Sequence, residues 1–220
     1  ITYGITHEAE WQMCDFIQKL HYSNYTVKRK HRLFDEFELN LMGRFNALNA
    51  LACTIVSLHY GIDIKTIKDA LKTFSGLERR MNISHMKELT FIDDYGHHPT
   101  EISETLHATR DTYSKKNVIC VFQPHMASRT IALLDQFTRA FRDVDMVVLV
   151  DIFTSEREKD IDFKTDDLYK ELEKHHPNVK YFGDLEKTVD GLKKIIGPRD
   201  VIVTMGAGDV YKVKEMMFDK

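Results

Sequence analysis

Leu89-Thr90-Phe91-Ile92-Asp93-Asp94-Tyr95-Gly96-His97-His98-Pro99-Thr100-Glu101 is where the fold of this chain becomes readable. An apolar, β-prone run stops at two carboxylates, a turn containing Gly96 follows, and Pro99 with Glu101 marks the first turn of a helix. A strand that passes into a helix within so few residues opens a βαβ unit. The same turn also gathers two carboxylates, a phenol and two imidazoles, a concentration of chemistry that packing does not require.

Downstream the pattern repeats. A helix is predicted from Thr100 to Tyr113, then strand Val118 to Phe122, helix Ser128 to Phe141 and strand Met146 to Val150. After a long loop come helix Thr165 to Lys174, strand Val179 to Phe182, helix Leu185 to Ile196, strand Val201 to Thr204 and a last helix from about Val210. Continuously apolar strands between amphipathic helices imply a parallel sheet covered on both faces. In such a sheet the carboxyl ends of the strands share one edge, where ligands bind. Four clusters fall at those ends: Asp93 to Pro99, Gln123-Pro124-His125 with Arg129, Asp151 to Lys159, and Gly206-Ala207-Gly208-Asp209.

Upstream the reading changes at Leu77-Glu78-Arg79-Arg80-Met81, which is taken as a domain boundary. Before it, Tyr25 to Lys28 and Phe34 to Leu41 read as strands flanking a basic turn. Ala47, Leu48, Leu51, Ala52, Ile55 and Leu58 then recur at helical spacing up to Gly61, and Ile64, Ile67, Leu71 and Phe74 repeat it up to Gly76. Two helices on a small sheet edge make a partial layer. Because Ile1-Thr2-Tyr3-Gly4 opens without Met, the chain is expected to be a fragment of something larger.

Composition narrows the function classes. Apolar residues make up 43% of the 220, enough for a full core, and 31 Lys and Arg oppose 34 Asp and Glu with no basic stripe interleaved with aromatics. Neither nucleic acid nor anionic membrane is therefore an expected partner. Cys14, Cys53 and Cys120 form no paired metal or redox spacing and read as core thiols in a reducing compartment. No run approaches the roughly 20 apolar residues of a membrane span, and the first residues lack the basic-then-apolar order of a signal peptide, so a cytoplasmic location is expected.

Each cluster has a plain reading beside its functional one. His97 and His98, beside Asp93 and Asp94, can be metal ligands, an acid–base pair or solvated polarity at a helix start. Without a nearby cysteine or a second spaced histidine pair, tetrahedral zinc is the weakest of these, and no metal site is assigned. His125 and Arg129 lie one helical turn apart and can present an imidazole and a guanidinium to one anion at a helix N-terminus. The plain alternative is a surface arginine and a capping turn. Gly206-Ala207-Gly208 begins like a dinucleotide fingerprint, but Tyr211 stands where the third glycine belongs, so a nicotinamide cofactor is rejected. The turn reads instead as a close approach for a ligand or a neighbouring loop. Arg79-Arg80 reads as a solvated hinge or a phosphate-seeking pair. Asn46 and Asn49 read as capping residues or as donors to a base edge.

Taken together, Asp93 to Glu101, Phe122-Gln123-Pro124-His125, Arg157-Glu158-Lys159-Asp160 after Asp151, and Gly206 to Asp209 resemble the Mur ligases, ATP-dependent amide-forming enzymes of bacterial peptidoglycan synthesis. Gly43 to Ala52 and Phe74 to Met81 resemble the tail of that family's central ATP-binding domain. Within the family the likeness is strongest to the branch that joins L-alanine to UDP-N-acetylmuramate through an acyl phosphate. The resemblance implies that residues 1–80 end an α/β ATP-binding domain and that 81–220 form a Rossmann-like C-terminal domain with a mostly parallel sheet. It implies ATP and magnesium in the full-length enzyme, with the missing N-terminal domains on the same polypeptide. It places His97, His125 and Arg129 at the chemistry, Asp94, Tyr95 and His98 on the substrate, and Asn46, Asn49 and Arg80 on ATP.

Three departures stand out. No glycine-rich phosphate loop with its Lys and Ser or Thr occurs in these residues, Phe45 replaces the family's usual His, and Met126 replaces an Arg common among relatives. The chain alone is therefore expected to bind no cofactor and to be inactive. Two rival readings are the branch that attaches a recycled tripeptide to the same nucleotide, and a non-catalytic binding module of the same fold.

Overall fold

A computed structural model describes residues 1–153, 158 and 161–218; Arg157, Lys159 and Asp160 of the quoted motif lie outside them. The chain divides into two compact units, Ile1–Gly76 and Leu77–Lys220.

The first unit is a four-stranded sheet in the order β1 (Tyr3–Gly4), β2 (Trp11–Gln18), β3 (Ser23–Arg29), β4 (Arg32–Leu39), followed by α1 (Arg44–His59) and α2 (Ile64–Thr73). The basic turn between β3 and β4 is the residue pair Lys30 and His31, at φ 48° and 65°. Left-handed backbone at both central residues matches the right-handed twist of a hairpin. Sequence reasoning missed β2, and its register explains why. The pairing with β3 shifts between Cys14 and Ile17, with Asp15 at φ 51°. Such a bulge breaks the period-2 alternation that marks a strand. Alternate residues Trp11, Met13, Tyr25, Val27, Phe37 and Leu39 pack on Ala47, Ala50, Leu51 and Ile55 of α1. Asp63 caps α2 by accepting the Thr66 N–H at 3.0 Å.

The second unit is a six-stranded sheet in the order β5-β6-β10-β7-β8-β9. Its strands are β5 (Asn82–Met86), β6 (Leu89–Asp94), β7 (Val118–Phe122), β8 (Met146–Val150), β9 (Val179–Gly183) and β10 (Val201–Met205). The connecting helices are α3 (Pro99–Thr112), α4 (Ala127–Ala132), α5 (Leu134–Ala140), α6 (Thr165–Glu173), α7 (Leu185–Ile195) and α8 (Lys212–Phe218). All neighbours pair in parallel except β5, an antiparallel edge strand that sequence reasoning passed over. Its Asn-Ile-Ser-His-Met run is too polar to read as a buried strand, which suits an edge. The class is mixed α/β with a predominantly parallel sheet, as expected.

Phe91, Ile119, Val121, Val148, Val150 and Ile202 face Val189 and Leu192 of α7 and Val213 and Met217 of α8. On the opposite face Phe122 packs its ring 5.7 Å from Phe137 and 5.3 Å from Phe141. That packing accompanies a correction. The single helix expected from Ser128 to Phe141 breaks at Leu133, whose φ of −114° and ψ of 17° end α4 and start α5. Among the described residues no helix is long and apolar enough to cross a membrane.

Leu51 is fully buried between the first sheet and α1. Leu51→Ala is expected to cost about 2–5 kcal/mol, read as an earlier urea transition in the fluorescence of Trp11, the one tryptophan in the chain.

Candidate functional site

The site is the carboxyl edge of the second sheet, and its turn after β6 is held from inside. Asp94 is buried, and its carboxylate accepts the Gly96 N–H at 2.6 Å and the Met81 N–H at 3.0 Å. Burial pushes its pKa up, against the pull of those two backbone donors. A Cβ on Gly96 would stand 2.8 Å from the Asp94 oxygen, so only glycine lets the turn close. Pro99 takes the first helical position. His98 is the N-cap, its Nδ1 accepting the Thr100 N–H at 3.3 Å. Glu101 completes a capping box by accepting the N–H groups of His97 and His98 at 3.1 and 3.2 Å.

These contacts give Asp94 and His98 of the expected substrate set a structural role. Both Asp94 oxygens and the inner His98 nitrogen are engaged in holding the turn. Successive strand residues face opposite sides of a sheet, and Asp93 accordingly points the other way, toward a cavity of about 550 Å³ that it lines with Arg79, Tyr211 and Lys214. What remains at the edge is Tyr95, exposed, and His97, half-buried.

The structure does bring His97 and His125 together. Their ring centroids are 6.0 Å apart, with the Tyr95 ring edge-on to His97 at 5.5 Å. The His125 ring stacks on Phe153 at 5.6 Å, a partner that carried no signal in the sequence. The backbone fixes this pair, since Phe153 N–H donates to the Pro124 carbonyl at 2.8 Å and Met126 N–H to the Phe153 carbonyl at 3.3 Å. Desolvation lowers the His125 pKa, helped by His97 and Arg129 and opposed by Glu158. Among the described residues, buried His125 Nδ1 and Arg129 Nη1 have no hydrogen-bond partner. Buried polar atoms without a partner among the described residues are costly unless a further group completes them.

The expected anion seat at the α4 N-terminus is already filled. Glu158 accepts the Ala127 N–H at 2.9 Å, the Ser128 N–H at 3.3 Å and the Ser128 hydroxyl. The protein thus supplies its own carboxylate to the helix dipole. His125 precedes α4 and belongs to a one-residue bridge with Phe153, so it meets Arg129 across the helix start and not along one helical face.

The glycine turn after β10 is a close approach to a neighbouring loop. A Cβ on Gly206 would stand 2.6 Å from the Gln123 carbonyl oxygen, and one on Gly208 would overlap the Gln123 side chain. Buried Gln123 donates Nε2 to Asp209 at 2.9 Å and accepts the Val210 N–H at 3.1 Å. Its burial could have been guessed only from its place between an apolar strand and Pro124.

Arg79 is not the solvated hinge expected; it is anchored inside the second unit. Arg80 is exposed and loosely paired with Glu101 at 3.8 Å. In the first unit Asn46 donates to the Met42 carbonyl at 2.7 Å, tying down the start of α1, while Asn49 is exposed.

Comparisons with known proteins bear on the family and the fold. The model of the Mur ligase glutamate ligase domain matches residues 79–208. The UDP-N-acetylmuramate–L-alanine ligase of Clostridium kluyveri is 43% identical over 188 residues, covering 84% of this chain and 41% of its own. That of Desulforapulum autotrophicum is 35% identical over 220 residues, covering 99% and 48%. Among solved structures, the MurC ligase of Thermotoga maritima superposes with a TM-score of 0.81 at 22% identity, over 99% of this chain and 46% of that one. MurF of the same organism, solved with ADP, gives 0.70 at 18% identity over 98% and 47%. At these identities the two structures speak for the fold. The chain spans about half the length of the curated relatives it matches.

In an NMR titration His125 is expected to ionise below the ordinary 6.5, with Arg129→Met raising its midpoint and Glu158→Gln lowering it further. A depressed folded-state pKa means that the unfolded chain binds more protons just below 6.5. The stability tied to this group is thus present above that value and lost as pH falls through the folded-state midpoint.

Proposed function

The chain belongs to the Mur ligase family, and from that premise we propose that it is part of an ATP-dependent ligase joining L-alanine to UDP-N-acetylmuramate in peptidoglycan synthesis. The observation that carries the reading is a pair of buried atoms without a hydrogen-bond partner among the described residues, His125 Nδ1 and Arg129 Nη1, with the His125 ring beside His97. They suit the carboxylate of an amino acid, whose amine is then held where it can attack. In this reading the muramate carboxylate is first converted by ATP to an acyl phosphate. The alanine amine adds to the acyl carbon, the carbon–oxygen bond to phosphate breaks, and the amide and inorganic phosphate leave with a proton released from nitrogen. Negative charge develops on the phosphoryl group and on the tetrahedral carbon's oxygen, where His97 and the Tyr95 hydroxyl supply hydrogen bonds.

Asp94 and His98 serve by fixing the turn that presents Tyr95 and His97. Arg80 reaches the ATP phosphates; its loose, exposed pairing with Glu101 costs little to break. Asn46 and Asn49 meet the adenine. Magnesium is expected to arrive with ATP. The described residues offer no group of three or more His, Cys, Asp or Glu side chains that could hold a metal ion, and no step above is assigned to one. The sequence contains no G-x-x-x-x-G-K-[ST] loop, so the 220 residues alone are proposed to fold without turning over.

In the full-length enzyme Arg129→Met is expected to raise KM for L-alanine by roughly ten- to a hundredfold, the loss of one charge-assisted hydrogen bond, with KM for ATP unchanged. Amine competition is the deciding experiment: turnover with a tripeptide but not with free alanine would transfer the chain to the recycling branch. ADP release by the isolated 220 residues would sink the claim that they are catalytically incomplete.

A further inference from the structure

Two residues beyond the start of the second unit, Arg79 makes more tertiary contacts than a linker residue needs. Its Nη2 donates to the Gly206 carbonyl at 2.6 Å across 127 positions of sequence. Its Nε stands 3.4 Å from the Asp93 carboxylate, which is further held by the Thr204 hydroxyl at 2.9 Å. The guanidinium carbon lies 5.0 Å from the centre of the Tyr95 ring and 4.6 Å from that of Tyr211, a cation between two phenol faces. Its carbonyl accepts the Tyr95 N–H at 2.7 Å. Its backbone is left-handed, at φ 56°, a conformation that costs an arginine energy and persists where the surroundings over-determine it.

We infer that Arg79 is a positioning residue that sets the orientation of Tyr95 and, through it, of His97. Two routes lead from the guanidinium to the histidine pair. One runs through the Tyr95 ring to His97, whose Nδ1 also lies 3.1 Å from the Tyr95 carbonyl. The other runs through Gly206 to the backbone of Gln123, two residues before His125. Arg79 touches neither histidine, so it acts through these intermediaries. Lysine keeps the charge toward Asp93 but cannot donate to Gly206 while lying flat between two rings. This inference deepens the ligase reading and rests on it for its activity arm alone.

The test uses Arg79→Lys, Tyr211→Leu and Tyr211→Phe. Tyr211 is 37% exposed, so its replacement leaves the core intact even if the arginine variant folds poorly. In the 220-residue chain, Arg79→Lys and Tyr211→Leu are expected to move the His97 ring resonances, whereas Tyr211→Phe, which keeps the aromatic face, leaves them in place. A merely structural Arg79 would lower the melting temperature of the variants without moving those signals in the folded protein. In the full-length enzyme Arg79→Lys is expected to lower kcat roughly ten- to a hundredfold, the penalty of an ångström-scale misplacement, with KM for ATP unchanged. Unmoved His97 signals in folded Arg79→Lys and Tyr211→Leu overturn the inference, as does a Tyr211→Phe shift equal to that of Tyr211→Leu. Moved signals in a full-length enzyme that never joins alanine uphold the positioning role and remove the ligase reading.

Discussion

β10 is the last strand in sequence yet lies between β6 and β7, hydrogen-bonded to both. That insertion fixes the spacing of the two turns carrying His97 and His125. The backbone ladder runs past the strand ends, with Gly206 N–H donating to the Asp94 carbonyl at 3.2 Å and Gln123 N–H to the Met205 carbonyl at 3.0 Å. Each turn is therefore registered against the loop after β10 before any side chain contributes. Gly206 and Gly208 matter for this reason: their missing side chains let the loop lie against Gln123. A parallel sheet with its switch of strand order beside such turns is the usual place for a ligand.

The electrostatics of the edge follow from which charges the protein satisfies internally. Glu158 occupies the α4 N-terminus, Asp94 is bound by two backbone donors, and Asp93 is paired with Arg79 on the other side of the sheet. Glu101 is the carboxylate left beside the pair, 3.9 Å from His97 Nδ1, and it is held there by the His97 and His98 N–H groups. Among the described residues, the imidazole of His125 and the guanidinium of Arg129 each keep a buried nitrogen without a hydrogen-bond partner. Burial lowers the pKa of His125 and so disfavours its charged form, and an incoming carboxylate would reverse that preference by supplying the missing partner. Arg129 carries a fixed charge and contributes to the lowered His125 pKa.

Long, continuously apolar strands and most of their alternating helices were legible because each strand from Leu89 to Thr204 is an apolar run bounded by turns, whereas the break at Leu133 left no mark in the helical period. β2 was not legible, since its bulge at Asp15 scrambles the alternation, and β5 was not, since a polar edge strand lacks a buried face. The convergence of His97 with His125 was legible through topology, because parallel strands place their carboxyl ends together. Pairings between distant residues were another matter. Nothing in the residues around Glu158 says that its carboxylate caps α4, or that Arg79 reaches Gly206 while Arg80 stays outside. Such contacts are decided by backbone placement, which a one-dimensional pattern does not encode.

The turn from Asp93 to Glu101 shows how a dense motif divides its labour. Asp94, Gly96, His98, Pro99 and Glu101 are all engaged in making the turn and starting α3: a braced carboxylate, a residue without Cβ, a cap, a fixed φ and a capping box. That leaves Tyr95 and His97 facing outward. Asp94 and Glu101 fix backbone immediately beside these two side chains, at Gly96 and at His97 and His98. The turn therefore constrains more residues than touch a ligand, and most of its titratable groups have structural reasons to be there. Their crowding comes from the need to aim two side chains from a short connection between a buried strand and a helix, with no room for error in the backbone.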